Sequence, residues 1–360
     1  MTAAKPRILT GDTPTGRLHL GHYVGSLENR IALQDEYDCY FLLANMHAFT
    51  TRADKPAEIR QDTIEIVKDW LAAGIDPKRS TIVLQTEVPA IAELTWFFAM
   101  LIPFNKVMRN PTLKTEIDAK GLGDTYSFGF PMYAVGQCAD ILAFRPELVP
   151  VGEDQEAHIE MCRDVALKFN QLYCGVGNRV VPEDHVKAGG VFPIPKAKIG
   201  RIGRLPGIDG TQKMSKSLGN AIMLSDSPKD VQKKIGRITT GRQSPTEKGD
   251  TSNVLFTFVR AFIRDEARVK ELERRYAEGD NIGDGHIKQE LAEHINALLE
   301  PMRSRRAEYE KPGGDDLVID IIKDGTRRAN VVAEETLHLA KKAMKLDFGR
   351  RSLAKDTQHS

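Results

Sequence analysis

Two hydrophobic periods alternate along the first half of the chain. Residues 7–10 form a short apolar run that predicts a strand, and Gly11-Asp12-Thr13-Pro14-Thr15-Gly16 after it is dense in turn formers. From Leu18 the apolar positions Leu18, Val24, Leu27 and Ile31 keep helical spacing to about Gln34. Residues 39–44 read as a buried strand, 56–73 as an amphipathic helix with Pro56 at its start, 81–85 as a strand and 90–102 as a helix. The alternation continues with a helix at 132–144, a strand at 148–151 and a long helix at 154–173. Strands separated by helices of these lengths predict an α/β domain, a doubly wound parallel sheet with helices on both faces. Ligands in such sheets sit beyond the carboxyl ends of the strands. The 11–16 turn, His47 and the 152–155 stretch all occupy such ends.

The pattern changes after about Arg201. Residues 200–210 are rich in Gly, Pro and basic side chains, and beyond Ser225 helical spacing dominates: 228–237, 254–263, 266–277, 286–308 and 330–345. Residues 317–322 alone admit either a strand or a helix. A division follows, with an α/β unit over 1–210 and an all-helical unit over 211–360. The last helix of the second is expected to pack back on the first.

Bulk numbers narrow the class. A chain of 360 residues can bury a full core and hold two domains. The net charge of +1 excludes a globally basic nucleic-acid binder, so any RNA contact must use local patches. Cys39, Cys138, Cys162 and Cys174 have no CxxC spacing, which speaks against a zinc knuckle or a disulfide framework. The first ten residues lack the apolar core of a signal peptide, and no apolar run approaches the ~20 residues of a membrane span. A cytoplasmic, soluble protein is expected, with no membrane or DNA partner.

Two short segments carry candidate chemistry. His19-Leu20-Gly21-His22 follows a strand and a Gly/Pro turn and opens a helix, whose free N–H groups favour anions. Gly21, lacking a side chain, would let a flat base approach the backbone. Two histidines three apart are equally compatible with a surface pair or half a metal site. Lys213-Met214-Ser215-Lys216-Ser217, followed by Leu218-Gly219-Asn220, stands far downstream. Lysine-rich pentamers are commonly solvated loops, yet two lysines on a Ser-rich loop can also close over a polyphosphate. There they would neutralise charge that develops on a departing pyrophosphate. Gly152-Glu153-Asp154-Gln155 can be read as an acidic helix cap.

In this order the two segments resemble the signatures of class I aminoacyl-tRNA synthetases. Val149-Pro150-Val151-Gly152-Glu153-Asp154-Gln155 with His158, Glu160, Arg163 and Asp164, Ala139-Asp140-Ile141-Leu142 within 133–144, and Ala44-Asn45-Met46-His47-Ala48 narrow the resemblance to the tryptophanyl-tRNA synthetases. It runs from about Arg7 to Lys345. The tyrosyl family shares the fold but is less similar over 152–164. The resemblance implies a Rossmann-like catalytic domain, ATP as co-substrate with Mg²⁺, no protein-held metal, L-tryptophan and tRNA(Trp) as substrates, and a homodimer with the helical domain reading the anticodon. Two rivals stay open: a non-catalytic paralogue, and an adenylating enzyme with another acceptor.

Carried onto these positions, the resemblance implies that His19, His22, Lys213, Lys216 and Lys114 handle phosphate. Thr13, Gly21, Gly152, Asp154, Met214 and Ser215 join His22 and Lys216 around ATP. Asp140 accepts the indole N–H, Tyr133 and Gln155 hold the ammonium, and His47 and Gln137 border the indole pocket. Thr13 and Gln137 depart from the commoner Gln and Met of the family. The paired basics Arg274-Arg275, Arg303-Ser304-Arg305-Arg306, Arg327-Arg328 and Lys341-Lys342 are candidate RNA contacts, or solvated helix faces.

Overall fold

The computed structural model describes residues 5–119, 121–123, 125–152, 155–199, 205–210 and 214–348. Strands β1 (Arg7–Asp12), β2 (Asp38–Leu43), β3 (Ser80–Leu84), β4 (Leu148–Val151) and β5 (Lys196–Ile199) make one parallel sheet in the order β3-β2-β1-β4-β5. Ile8 of β1 stands opposite Cys39 on one side and Leu148 on the other. Strand side chains alternate between two cores. Ile8, Phe41, Leu43 and Ile82 enter one; Leu9, Tyr40, Leu42, Val83 and Val149 enter the other. Burial on both faces is why these runs read as continuously apolar. From β1 the chain winds to one side through β2 and β3, then to the other through β4 and β5. The crevice where such winding reverses lies beyond the ends of β1 and β4.

Helices follow the strands: α1 (Leu20–His22), α2 (Glu28–Leu33), α3 (Asn45–Arg52), α4 (Pro56–Ala73), α5 (Pro89–Ala99), α6 (Phe104–Met108), α7 (Pro111–Ala119), α8 (Gly129–Leu142) and α9 (Glu156–Cys174). The continuous helix expected from Leu18 instead starts at Leu20 and is wound as a π-helix over Tyr23–Leu27. Leu18 is held out of it, because its N–H donates to Asp69 Oδ2 at 2.6 Å and its carbonyl accepts from Leu224 N at 3.0 Å. Strand β1 runs two residues past the expected end. Strand β5 was not legible, since Lys196-Ala197-Lys198-Ile199 is an exposed edge without an apolar run and is defined by pairing to β4.

The remaining helices are α10 (Pro228–Gly236), α11 (Val254–Phe262), α12 (Glu266–Glu278), α13 (Asp284–Tyr309) and α14 (Gly314–Ala343). Side-chain caps start three of them: Ser227 Oγ accepts from Asp230 N, Asn253 Oδ1 from Phe256 N, and Asp265 Oδ1 from Ala267 N. Residues 317–322 belong to α14. That helix crosses the sheet edge, with Val318 and Ile322 in the first core and Ala329, Ala333 and Leu337 in the second. A Cβ on Gly325 would stand 2.1 Å from Ile82 O, so glycine is what permits this approach. Thr326 Oγ1 then accepts the N–H of Leu84 at 2.9 Å, and the open edge of β3 is covered. Helix α13 docks through Arg306, buried among Asp69, Glu65 and Glu310.

Candidate active site

The turn after β1 is anchored from below. Arg30 forks onto Asp12 at 2.7 and 2.9 Å, and Trp70 Nε1 donates to the same carboxylate at 2.9 Å. Burial pushes the Asp12 carboxyl up, but Arg30, His22 and Trp70 outweigh it and hold the group below its usual range. The rings of His19 and His22 stack with centroids 3.7 Å apart, and His22 Nδ1 accepts the His19 N–H at 3.2 Å. A Cβ on Gly21 would lie 3.0 Å from the His19 ring and 3.6 Å from Met214 Cβ. The lysine segment therefore reaches the histidine segment directly. The chain beyond it pairs back as well: Leu20 N donates to Ile222 O at 2.9 Å, and His19 forms an antiparallel bridge with Met223.

Buried Asn220 shapes the lysine loop. Its Oδ1 accepts Ser215 N at 2.8 Å, and its amide donates to both oxygens of Asp209 at 3.2 Å. Met214 is buried, whereas Lys216 is exposed and reaches over the β1 turn; a Cβ on Gly16 would sit 2.5 Å from Lys216 Nζ. The cleft there, about 710 Å³, is bordered by Gly16, Asp62, Lys216 and Asp226. Its carboxylates already hold cations, Asp62 pairing with Arg52 and Asp226 with Lys234.

A second cluster stands at the ends of β2 and β3. Asp140 on α8 is 2% exposed. Its Oδ1 accepts from Gln85 Nε2 at 2.7 Å, and its Oδ2 lies 3.4 Å from His47 Nε2. Burial pushes the Asp140 carboxyl up to about 7, against the Gln85 bond, which pulls it down. Burial, and then His158, push His47 down to about 4. The 3.4 Å approach is therefore a contact of neutral imidazole with the carboxyl group, not an ion pair. Tyr133 adjoins it, 5.8 Å from the His47 ring, with its hydroxyl 3.3 Å from His158 Nε2. Burial and Glu116 raise the Tyr133 phenol far above its usual range, so it stays neutral. Gln137 Nε2 points at Gln155 Oε1 at 3.5 Å.

The structure thus gathers His19, Gly21, His22, Met214, Ser215 and Lys216 at one point, and His47, Tyr133, Asp140, Gln137 and Gln155 at another. Thr13 is exposed on the β1 turn, and Gly152 follows β4. Lys114 is exposed on α7, and among the described residues no hydrogen bond or ion pair joins it to the histidines or Lys216. Lys213 and Asp154 lie outside the described residues. Gln85 and Asn110, which meets His158 Nδ1 at 3.3 Å, carry no motif signal and escaped the sequence reading, whereas Asn220 was legible as part of the string after the lysines but its bonds were not. Several basics offered for RNA are used internally: Arg305 bonds Ala72 O, Arg306 is buried, Arg328 bonds Pro77 O and Lys341 pairs with Glu93. A larger cavity, about 1000 Å³ between α14 and α4, holds none of the residues expected around ATP or tryptophan. Among the described residues no cluster of three metal-ligating side chains occurs, and no helix is long and apolar enough to cross a membrane.

A family model of the class I tRNA synthetases for tryptophan and tyrosine matches residues 1–300. The chain belongs to this family. The tryptophan–tRNA ligase of Clostridium longisporum is 40% identical over 96% of this chain and 98% of its own. That of Streptococcus mutans is 41% identical over 96% and 99%. Among solved structures, tryptophanyl-tRNA synthetase from Campylobacter jejuni complexed with ADP and tryptophan is 33% identical, with a TM-score of 0.76 over 94% of this synthetase and 100% of its own chain. A tyrosyl-tRNA synthetase from Archaeoglobus fulgidus, 22% identical at a TM-score of 0.63, shares the fold alone.

Proposed function

We propose that this synthetase performs both steps of aminoacylation in the crevice beyond β1 and β4. Its activity is that of a tryptophan–tRNA ligase, an aminoacyl-tRNA ligase of class I. Tryptophan carboxylate attacks the α-phosphorus of ATP, forming the mixed anhydride tryptophanyl-adenylate and releasing pyrophosphate. A ribose hydroxyl of the tRNA's terminal adenosine, the 2′-hydroxyl in the class I pattern, then attacks the carbonyl and AMP departs. No residue need form a covalent bond, so positioning and electrostatics carry the rate.

One observation supports this most: the histidine segment and the lysine segment, remote in sequence, meet at Gly21 and Met214. Adenine fits against this backbone, His19, His22 and Thr13 contact phosphate, and Gly152 and Asp154 approach the ribose. Lys216 and Lys213 move onto the pyrophosphate as its charge develops. Lys114, exposed on α7, adds a further cation for phosphate. Mg²⁺ would accompany the nucleotide and offset phosphate charge there, with no cluster of protein ligands for it among the described residues. Asp140 accepts the indole N–H, His47 and Gln137 wall the ring, and Tyr133 with Gln155 receive the ammonium. Trp96 on α5, Met100 just after its end and Phe104 at the start of α6, all exposed, offer an apolar face to a second copy. A cytoplasmic location fits this substrate set.

The test is amino-acid-dependent ATP–pyrophosphate exchange across all twenty amino acids, followed by tRNA charging. Tryptophan alone should drive exchange. Asp140→Ala should lower kcat/KM for tryptophan about ten- to a hundredfold, the loss of one charge-assisted hydrogen bond, while the KM for ATP holds. Preference for tyrosine in the wild type would overturn the assignment.

A further inference from the structure

Gln85 sits at the joint between the two walls of the amino-acid pocket. It is 2% exposed at the end of β3, in the tight turn Gln85–Glu87. Both ends of its amide are engaged. The nitrogen donates to Asp140 Oδ1 at 2.7 Å; the oxygen accepts the N–H groups of Met46 and His47 at 3.0 and 3.4 Å. Those two N–H groups belong to the first turn of α3, where no preceding carbonyl can satisfy them. The turn itself is fixed from both sides. Asn45 and Thr86 exchange hydrogen bonds of 2.8 and 3.2 Å, and Leu84 N is held by Thr326 of α14.

We propose that Gln85 is a specificity-positioning residue: its amide fixes the Asp140 carboxylate as the indole N–H acceptor and, through α3, sets the His47 wall at the matching distance. This rests on the reading of Asp140 as that acceptor. One side chain makes both contacts, so acceptor and wall cannot shift independently. The orientation also selects the charge state. An N–H aimed at Oδ1 favours the ionised carboxylate, the form that only accepts, and leaves Oδ2 for the ligand. His47 is the titratable group directly against Asp140, with Tyr133 on α8 and His158 on α9 adjoining it. His47 and Tyr133 are neutral at neutral pH, so neither supplies a cation in place of the donated hydrogen bond.

The test uses the full-length protein with two variants and two substrates. Gln85→Glu keeps the acceptor for α3 but replaces the donor with a carboxylate that must share a proton with Asp140. Gln85→Met removes both functions at similar volume. The substrates are tryptophan and its benzothiophene analogue, in which sulfur replaces the indole N–H. Wild type should prefer tryptophan by at least about tenfold, as sites built around a hydrogen bond do. Gln85→Glu, which keeps the acceptor for α3, should lose about ten- to a hundredfold in kcat/KM for tryptophan and little for the analogue, whereas Gln85→Met, which also frees α3, should lose at least as much for tryptophan and a smaller part for the analogue. The pH at which kcat/KM for tryptophan rises should move upward, because the ionised form of Asp140 has lost its donor. Wild-type preference and an unmoved pH profile in Gln85→Glu would overturn the role of Gln85 alone. Equal loss for both substrates would reduce it to a packing residue. A wild type that does not distinguish the substrates would overturn the reading of Asp140, and this inference with it.

Discussion

Asp140 and His47 touch, yet burial moves them in opposite directions, and the consequences for stability oppose each other. Asp140 rises to about 7 from an ordinary 3.8. Between those values the folded protein keeps a proton that the unfolded chain has lost. Its contribution is therefore full at low pH and is lost as pH rises toward 7. His47 falls to about 4 from 6.5, so over that interval the unfolded chain holds the extra proton. Its contribution is present above 6.5 and is lost as pH falls toward 4. The two slopes offset each other across pH 4–6.5. Asp140→Asn leaves the histidine slope unopposed, so its melting temperature should climb with pH across that interval more steeply than the wild type's. Thermal melts at a series of pH values check this. Parallel curves would mean that Asp140 titrates like an exposed carboxyl. The aspartate's setting was legible in part, since Ala139, Ile141 and Leu142 announce a buried helix face. The shifted titration was not, because it comes from burial among elements remote in sequence, opposed by the Gln85 bond.

Helix α14 shows two local preferences in conflict. Gly325 lies in mid-helix, where glycine costs about 1 kcal/mol relative to alanine. Propensity alone makes Gly325→Ala stabilising. A Cβ at that point would stand 2.1 Å from Ile82 O, and backbone cannot yield as a flexible side chain can. Overpacking of this kind costs about 1–3 kcal/mol, and loss of the Thr326 bond to Leu84 would add to it. The clash should win. Urea denaturation should give a lower midpoint for Gly325→Ala than for wild type, and a higher midpoint would show that α14 does not press on β3. The helix itself was expected at 330–345. Its first half was ambiguous because 317–322 is short and apolar, and such runs do not distinguish a buried strand from a buried helix.

At the scale of the whole molecule, the least satisfied surface is apolar. Met100 is 73% exposed, and Trp96 and Phe104 are each 61% exposed. Such a cluster on two successive helices favours burial against another copy more than solvation. Sedimentation velocity should show a dimer, and Met100→Lys should shift it toward monomer while circular dichroism stays unchanged. A monomeric wild type would sink the proposed interface. The change from alternating strand and helix periods to helical ones was legible in the sequence. The way the parts join was not. Arg306 reads as one of several paired basics, yet it is buried with Asp69 and Glu65 on α4. Asp69 in turn holds Leu18 N, one residue before His19.

Sequence alone determined which chemistry the chain carries. His19-Leu20-Gly21-His22, Met214-Ser215-Lys216-Ser217 and Ala139-Asp140-Ile141-Leu142 are local strings, and the roles proposed for them depend on residue types at short fixed spacings. It determined β1 to β4 too, because a strand buried on both faces must be apolar throughout, while the exposed edge strand β5 was silent. Only the tertiary structure decided which segments meet. Gly21 against Met214, Gln85 between Asp140 and α3, Asn220 beneath the lysine loop, and α14 on the edge of β3 are contacts between distant positions. Gln85 and Gly325 are of common type in a silent local pattern, and Gly21 and Asn220 stand in strings that do not say what they will meet. Such residues acquire meaning from the buried group they face, because leaving that group unpaired, or crowding it, is what the fold must avoid.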